Sequence, residues 1–380
     1  MNFTFTEEQK MIRDTAREFA REEIAPTAIE RDIEAKFPTE IIKKLGELGF
    51  MGMMVDPNYG GAGLDTISYV LAIIELSKVD ASVGVIMSVN NSLVCHGLNK
   101  HGTELQKTKY LAPLASGQKL GAFCLSEPEA GSDATKQHTQ AKKVDGGWVL
   151  NGIKNWITNA ISADYYLVMA QTDPEKGHKG ITTFIVEKEF EGVSQGAKED
   201  KLGIRSSDTA TVTLQDTFVP DENVLWEVGK GFNFAMDTLN GGRIGIAAQA
   251  LGIAEASLED SIAYSKERKA FGVPIAEHQV IQFKLADMAM KLEAATLLTL
   301  KAAAQKDAGE NYIKLAAMAK VYASETAVHN ALEAIQIHGG YGYVREYKVE
   351  RYLRDAKITE IYEGTSEIQR IVISRMILKD

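Results

Sequence analysis

Helical periodicity at both ends of the chain and short β-rich runs between them predict an α+β protein of three domains. A length of 380 residues allows two or three domains at about 150 residues each. The expected division is an N-terminal helical domain over 1–120, a middle β-barrel or sandwich domain over 121–228 and a C-terminal four-helix-bundle domain over 229–380. In the first third, Thr6 and Gln9 have the spacing of a capping box. Ile12, Ala16, Phe19 and Ala20 then share one helix face, and Pro26 ends or bends that helix. Thr39–Leu48, Thr66–Lys78 and Ser88–His101 also read as helices, and Tyr59-Gly60-Gly61-Ala62-Gly63 reads as a turn or loop. In the middle third, Asp145-Gly146-Gly147 before Val149-Leu150 is a hairpin signal. Tyr165–Gln171 and Ile181–Val186 are β-rich, and in Thr209–Leu214 Val212 and Leu214 alternate with Thr211 and Thr213. From about Gly231 the chain turns helical again. Ala247–Tyr264, Gln279–Ala304 and Ile313–Ile337 are long and rich in Ala, Leu, Met and Glu, as a bundle requires.

Composition removes several function classes. The net charge of -10 opposes nonspecific nucleic-acid binding. Two distant cysteines, Cys95 and Cys124, form no Cys-x-x-Cys pair and are expected to be buried small hydrophobes in a reducing compartment. No run of 18 apolar residues suggests a membrane span. The start, Met1-Asn2-Phe3-Thr4-Phe5-Thr6-Glu7-Glu8, lacks the basic and apolar regions of a secretory leader, and the end, Ile377-Leu378-Lys379-Asp380, is not a Ser-Lys-Leu address. A cytoplasmic location is expected, or a mitochondrial matrix one if a transit peptide was removed. Nicotinamide-binding, P-loop, zinc-protease and nucleophile-elbow motifs are missing, the histidines are scattered, and no metal site is expected.

Three segments look unlike scaffold. Leu125-Ser126-Glu127-Pro128-Glu129-Ala130-Gly131-Ser132-Asp133 is dense in hydroxyls, turn formers and backbone amides that suit phosphate or a polar ring edge. Asn155-Trp156-Ile157-Thr158-Asn159 places a planar apolar face two residues from a hydroxyl, although a Trp on a strand ordinarily packs in a core. Arg354–Gln369 contains Ile361-Tyr362-Glu363-Gly364-Thr365, where glycine beside a carboxylate lets a substrate approach the backbone.

Together these segments, with Arg268-Lys269-Ala270-Phe271-Gly272 and Gln336-Ile337-His338-Gly339-Gly340-Tyr341-Gly342, resemble the acyl-CoA dehydrogenases in order and spacing over nearly the whole chain. Ile358–Arg370 and Leu239–Ile246 carry a closer likeness to the short-chain, butyryl-CoA branch. The resemblance implies FAD between the β-domain and the C-terminal helices. Phe123, Leu125, Ser126, Gly131 and Ser132 would line the flavin, Trp156 and Ile157 would pack by it, and Thr158 would lie near N5. Arg268, Phe271 and Gln279 would reach the FAD of a neighbouring subunit in a homotetramer, with Gln336, Gly339, Gly340, Thr365 and Glu367 also at the cofactor. Ser132, Asn240, Arg243, Tyr362 and Gly364 would contact substrate.

The reaction so implied belongs to fatty acid β-oxidation: a saturated acyl-CoA becomes the trans-2-enoyl-CoA. Glu363 would take the C2 proton, and hydride would pass from C3 to flavin N5. The enolate oxygen would be held by the Glu363 N–H and a ribityl hydroxyl. Desolvation by the bound acyl chain and flavin should raise the pKa of Glu363 towards working pH. Some relatives carry the glutamate before the arginine of the C-terminal domain; Leu239-Asn240-Gly241-Gly242-Arg243 has none there, which leaves Glu363. No Lys or Arg lies between Lys78 and Lys100 to bind an anionic acyl tail, so a short neutral chain is expected, straight or branched as in 2-methylbutyryl. The expected electron acceptor is an electron-transfer flavoprotein. The other readings are an acyl-CoA oxidase, using oxygen, and a noncatalytic thioester- or flavin-binding scaffold.

Overall fold

A computed structural model describes residues 4–379. Met1–Phe3 and Asp380, on which part of the leader and address readings rests, lie outside the described residues.

The N-terminal helices are α1 (Glu7–Phe19), α2 (Ala28–Glu34), α3 (Thr39–Glu47), α4 (Thr66–Val79), α5 (Ala81–Ser88), α6 (His96–His101), α7 (Glu104–Gln106) and α8 (Ala112–Ala115). Thr6 and Gln9 form the expected capping box at the start of α1. Its end loosens into a wide turn over Ala20–Ile24 and a tight one over Ala25–Thr27, where Pro26 interrupts regular bonding. Helix α5 begins seven residues before the expected Ser88 and runs through a π-turn, Val89–Cys95, into α6. Ala81–His101 is long and apolar enough to cross a membrane, but 94% of its most apolar window is buried inside the protein, as for a core helix. Cys95 and Cys124 are buried, as expected of small hydrophobes.

The strands are β1 (Gly121–Cys124), β2 (Gln140–Val144), β3 (Gly147–Thr158), β4 (Tyr165–Gln171), β5 (Ile181–Glu187), β6 (Val193–Gln195), β7 (Thr209–Pro220) and β8 (Val224–Leu225). They form one eight-stranded mixed sheet, ordered β6-β7-β3-β2-β4-β5-β8, with β1 parallel to β4. The hairpin at Gly146 pairs Val144 with Gly147, as the sequence signalled. Val212 and Leu214 point into the sheet's own core with Leu150, Val168 and Phe184.

The C-terminal part is dominated by α9 (Gly231–Glu267), α10 (Gln279–Asp307) and α11 (Ile313–His338), completed by α12 (Val349–Thr359) and α13 (Ser366–Ile377). A two-stranded ribbon, β9 (Lys269–Ala270) with β10 (Val273–Pro274), joins α9 to α10. Helix α9 starts at Gly231, where the sequence turns helical, and runs unbroken into the expected Ala247–Tyr264 stretch, because Gly241 and Gly242 do not break a helix whose sides are covered. Every residue from Gly241 to Ala254 is buried, so α9 is the axis of the molecule. It packs on α10 and α11 on one side and on α4 and α5 on the other. N-terminal and C-terminal helices thus share one apolar core.

Candidate active site

Glu363 sits in the turn between α12 and α13, where α9 passes closest. A Cβ added at Gly242 of α9 would fall inside van der Waals contact with Glu363 Oε2 and 2.8 Å from Leu93 Cδ2. The missing side chain at 242 therefore makes room for the carboxylate. Glu363 has φ 51° and Gly364 φ 92°. Two successive left-handed residues turn the backbone sharply, and for glutamate that conformation costs on the order of 1–3 kcal/mol unless the surroundings hold it. Gln369 does so from α13: its Nε2 donates to Glu363 O at 3.1 Å and to Gly364 O at 3.0 Å. Lys320 of α11 does so from the other side, Nζ donating to Gly364 O at 2.8 Å.

Both carboxylate oxygens of Glu363 are enclosed and lack a hydrogen-bond partner among the described residues. Burial pushes the Glu363 pKa up from the carboxylate range to about 7, against the pull of Lys320 and Arg243. The rise expected from the sequence is present, and the protein's own walls produce it. Among the described residues nothing accepts from the Glu363 N–H. Arg243 is buried one turn from Asn240, whose Oδ1 accepts from Arg243 Nη1 at 2.7 Å, while Arg243 Nε is unpaired. Tyr362 donates its hydroxyl to Gln249 Oε1 and lies close enough to Glu363 to feel its charge. Glu363, Gly364, Tyr362, Asn240 and Arg243 are therefore neighbours.

A second group forms where β1 leads into the loop 125–133. Phe123 and Leu125 are buried, and Phe123 stacks on Phe234 of α9 with centroids 6.4 Å apart. Asn155 N–H donates to Ser126 O at 2.9 Å, which ties the loop to β3. Just there the β3–β7 register breaks between Lys154 and Ile157, and Trp156 takes φ 60°. The bulge throws Trp156 outward, 61% exposed, so the core packing usual for a strand Trp does not occur. Thr158 is half-buried, and Ile157 points into the sheet core. Beneath lies a buried ion pair: Lys154 Nζ donates to Glu127 Oε1 at 2.7 Å, Gln137 Oε1 at 3.1 Å and Leu125 O at 3.3 Å. Glu127 also accepts from the N–H groups of His138 at 2.5 Å and Thr139 at 3.0 Å. Gly131 and Ser132 stand exposed above this base, and a Cβ at Gly131 would meet nothing within 4 Å.

The third group is elsewhere. Arg268, Phe271, Gly339 and Gly340 gather at the C-terminal end of α9, about 39 Å along the helix from Gly242 at 1.5 Å per residue. Arg268 lies over the Tyr341 ring, 5.5 Å from its centroid, at a cleft of about 550 Å³ lined also by Tyr264, Ile337 and His338. Phe271, at the tip of the ribbon, is 97% exposed. Gln279 and Gln336 are exposed, on α10 and α11. Thr365 caps α13, accepting from Ile368 N–H at 3.3 Å, and Glu367 is exposed in its first turn.

The sequence reading missed Lys320, Gln369, Gln249 and Lys154. A signal existed for Lys320: it occupies the buried face of α11 with Ala316, Ala319, Ala323 and Ala327, where a lysine needs a partner.

A glutamate raised towards neutrality on a strained turn, a loop-and-bulge cradle with an outward Trp, and two helical domains around one sheet suit the flavoprotein dehydrogenase class that the sequence resembles. The chain belongs to the acyl-CoA dehydrogenase family: its N-terminal, middle and C-terminal domain models match residues 6–118, 122–217 and 229–378. It is 50% identical over 379 residues to the short-chain specific acyl-CoA dehydrogenase of Clostridium acetobutylicum, covering 100% of both chains. The solved butyryl-CoA dehydrogenase of Megasphaera elsdenii is 49% identical with TM-score 0.98, again covering 100% of both. A solved chain described under the electron transferring flavoprotein of Acidaminococcus fermentans is 50% identical with TM-score 0.99 and covers 100% of both. A solved FAD complex of PigA is 29% identical with TM-score 0.95, covering 99% of both.

Proposed function

We propose that the chain uses FAD to dehydrogenate short-chain acyl-CoA thioesters between C2 and C3, with Glu363 as the base. The observation that carries this reading is the enclosed, unpartnered carboxylate of Glu363 with a pKa near 7. A thioester α-proton is weakly acidic, and a base titrating close to working pH suits its removal. The proton at C2 would pass to a Glu363 oxygen. The Glu363 N–H, which meets no acceptor among the described residues, is suited to hold the thioester oxygen as charge develops on it, a contribution of about 3–4 kcal/mol for one donor in a dry site. Arg243 and Asn240 beside Gly242 are suited to line the substrate channel. Bound FAD would supply the acceptor for the C3 hydride.

The residues present fit a flavin. Trp156 offers an exposed flat face beside the half-buried Thr158 and Ser126. Gly131 leaves open space above a loop stiffened by the Lys154–Glu127 pair. Arg268, Phe271, Gln279, Gln336, Gly339 and Gly340 lie too far along α9 to reach the same FAD, so their proposed cofactor contacts would be to the FAD of a neighbouring subunit. That separation supports an oligomer in which each subunit completes its neighbour's cofactor site, as in the homotetramer the resemblance implies. The likeness to the Acidaminococcus chain supports an electron-transferring flavoprotein as acceptor.

A short acyl chain is supported by what fills the space along α9. One turn beyond Gly242, a Cβ at Gly245 would meet Tyr69 Oη at 2.5 Å and Ser88 Oγ at 2.6 Å. One further turn on, Gln249 is engaged by the Tyr362 hydroxyl and donates to Ala81 O at 2.8 Å. Side chains thus close in within about 10 Å of the base.

The test is a panel of straight, branched and dicarboxylyl CoA thioesters with an artificial electron acceptor. Turnover should peak near butyryl-CoA and fall for octanoyl- and glutaryl-CoA. Glu363→Gln should keep bound FAD and acyl-CoA while kcat drops roughly 10²–10⁴-fold. A variant with most of its turnover would remove Glu363 as base. Fast peroxide formation without added acceptor would favour the oxidase.

A further inference from the structure

Lys320 is 0% exposed and comes from the first third of α11, far in sequence from the turn it supports. An ammonium has three donors and no acceptor, and burying one without an anion nearby is costly. Its partner in hydrogen bonding is a carbonyl, Gly364 O at 2.8 Å, in the residue that follows Glu363. The charges that face it are Glu363, Glu360 and Glu367 on one side and Arg243 on the other. Among these Glu363 is the largest influence, and Lys320 in turn is the largest charge acting on Glu363. The same carbonyl also accepts from Gln369, which is neutral. Two donors therefore hold one turn, and only one of them is charged.

We infer that Lys320 is a positioning residue for the proton-transfer step, holding the Glu363–Gly364 turn in its left-handed conformation and lending the Glu363 carboxylate a buried positive charge. This rests on reading Glu363 as the base. Its geometric share is the hydrogen bond to Gly364 O, made in parallel with Gln369. Its electrostatic share is separate. Burial drives Glu363 up to about 7 and Lys320 down to about 8, so each charged form costs less in the presence of the other. Removing the ammonium removes the larger of the two pulls that keep Glu363 ionised, and the base then needs a higher pH to act.

The experiment compares Lys320→Met, Lys320→Arg and Gln369→Leu in the FAD-loaded enzyme, with Glu363→Gln as reference. The readouts are FAD content, KM and kcat for butyryl-CoA, and the pH profile of kcat/KM. Lys320→Met should keep FAD and change KM less than about 3-fold. Its kcat should fall roughly 10–100-fold, and its acidic limb should move up by about one pH unit. Gln369→Leu should lower kcat without moving the limb, because it takes away a donor and no charge. Lys320→Arg should leave the limb near its wild-type position. An unmoved limb in Lys320→Met, with Glu363→Gln inactive, overturns the inference and leaves the base assignment standing. An active Glu363→Gln overturns both. If Lys320→Met does not fold, a limb in Gln369→Leu that moves as far as expected for charge loss overturns the separation of roles, and an unmoved one supports it.

Discussion

The two ends of α9 are built on opposite plans. At Gly242 the helix is buried on all sides, and the turn carrying Glu363 is held by α11 and α13 of the same chain. At Arg268 the helix ends in a ribbon whose tip, Phe271, has almost no cover, beside glycines that face open space. The first end stores strain and a displaced pKa because its own walls can hold them. The second leaves large side chains mostly open, with Arg268 over Tyr341 and Phe271 against the edge of His278. Phe271, with φ 54°, meets only the edge of the His278 ring, 5.8 Å between centroids, and is otherwise exposed, which is the kind of surface on which the proposed neighbouring subunit would dock.

The sharpest way to break this contrast is at the buried end. Gly242→Ala puts a methyl where Glu363 Oε2 stands, and the carboxylate must move. A displacement near 1 Å should lower kcat roughly 100-fold, with FAD retained. Unchanged turnover would mean that Glu363 is not held there during the reaction.

Next in size is stability against pH. The folded Glu363 pKa, about 7, is raised above its ordinary 4.5. The folded state therefore keeps a proton that the unfolded chain loses. The associated stability is fully present below the unfolded value and is lost as pH rises through about 7. Glu363→Gln, which stays neutral, should then be more stable than wild type at pH 8 by about 3 kcal/mol and nearly equal at pH 4.5. Chemical denaturation at the two pH values checks this; equal differences at both would refute the buried charge.

At the open end, Phe271→Ala should leave the fold of the chain intact while weakening assembly. Sedimentation equilibrium should show smaller species and weaker FAD retention, by roughly 10-fold in affinity for one lost aromatic contact. An unaltered oligomer would make the ribbon an ornament of the monomer. The smallest effect is expected of Gly340→Ala. The added methyl meets nothing within 4 Å, so the stability of the chain should change by less than about 0.5 kcal/mol. Any loss of FAD then reports a group from outside the chain.

Much of this molecule is written locally. The capping box at Thr6, the hairpin at Gly146 and the strand Tyr165–Gln171 depend on neighbours a few residues apart, and the sequence shows them directly. The start of α9 at Gly231 was also legible, but the unbroken run from there into Ala247–Tyr264 was not, for the converse reason. Gly241 and Gly242 weaken a helix in water, and only the surrounding helices at this depth make the continuation favourable. Trp156 was legible as unusual, but its outward direction comes from a bulge set by pairing with β7.

By itself, then, the sequence determined the order of helical, strand-rich and helical parts, the family, and the run in which the candidate base lies. Periodicity, turn chemistry and motif order are properties of the chain as a string. The tertiary structure alone decided the environment of Glu363. Lys320 reaches Gly364 across 44 residues, Gly242 comes from a third element, and burial depends on all of them at once. A pKa near 7 is a property of that enclosure, because the same carboxylate in water would titrate near 4.5.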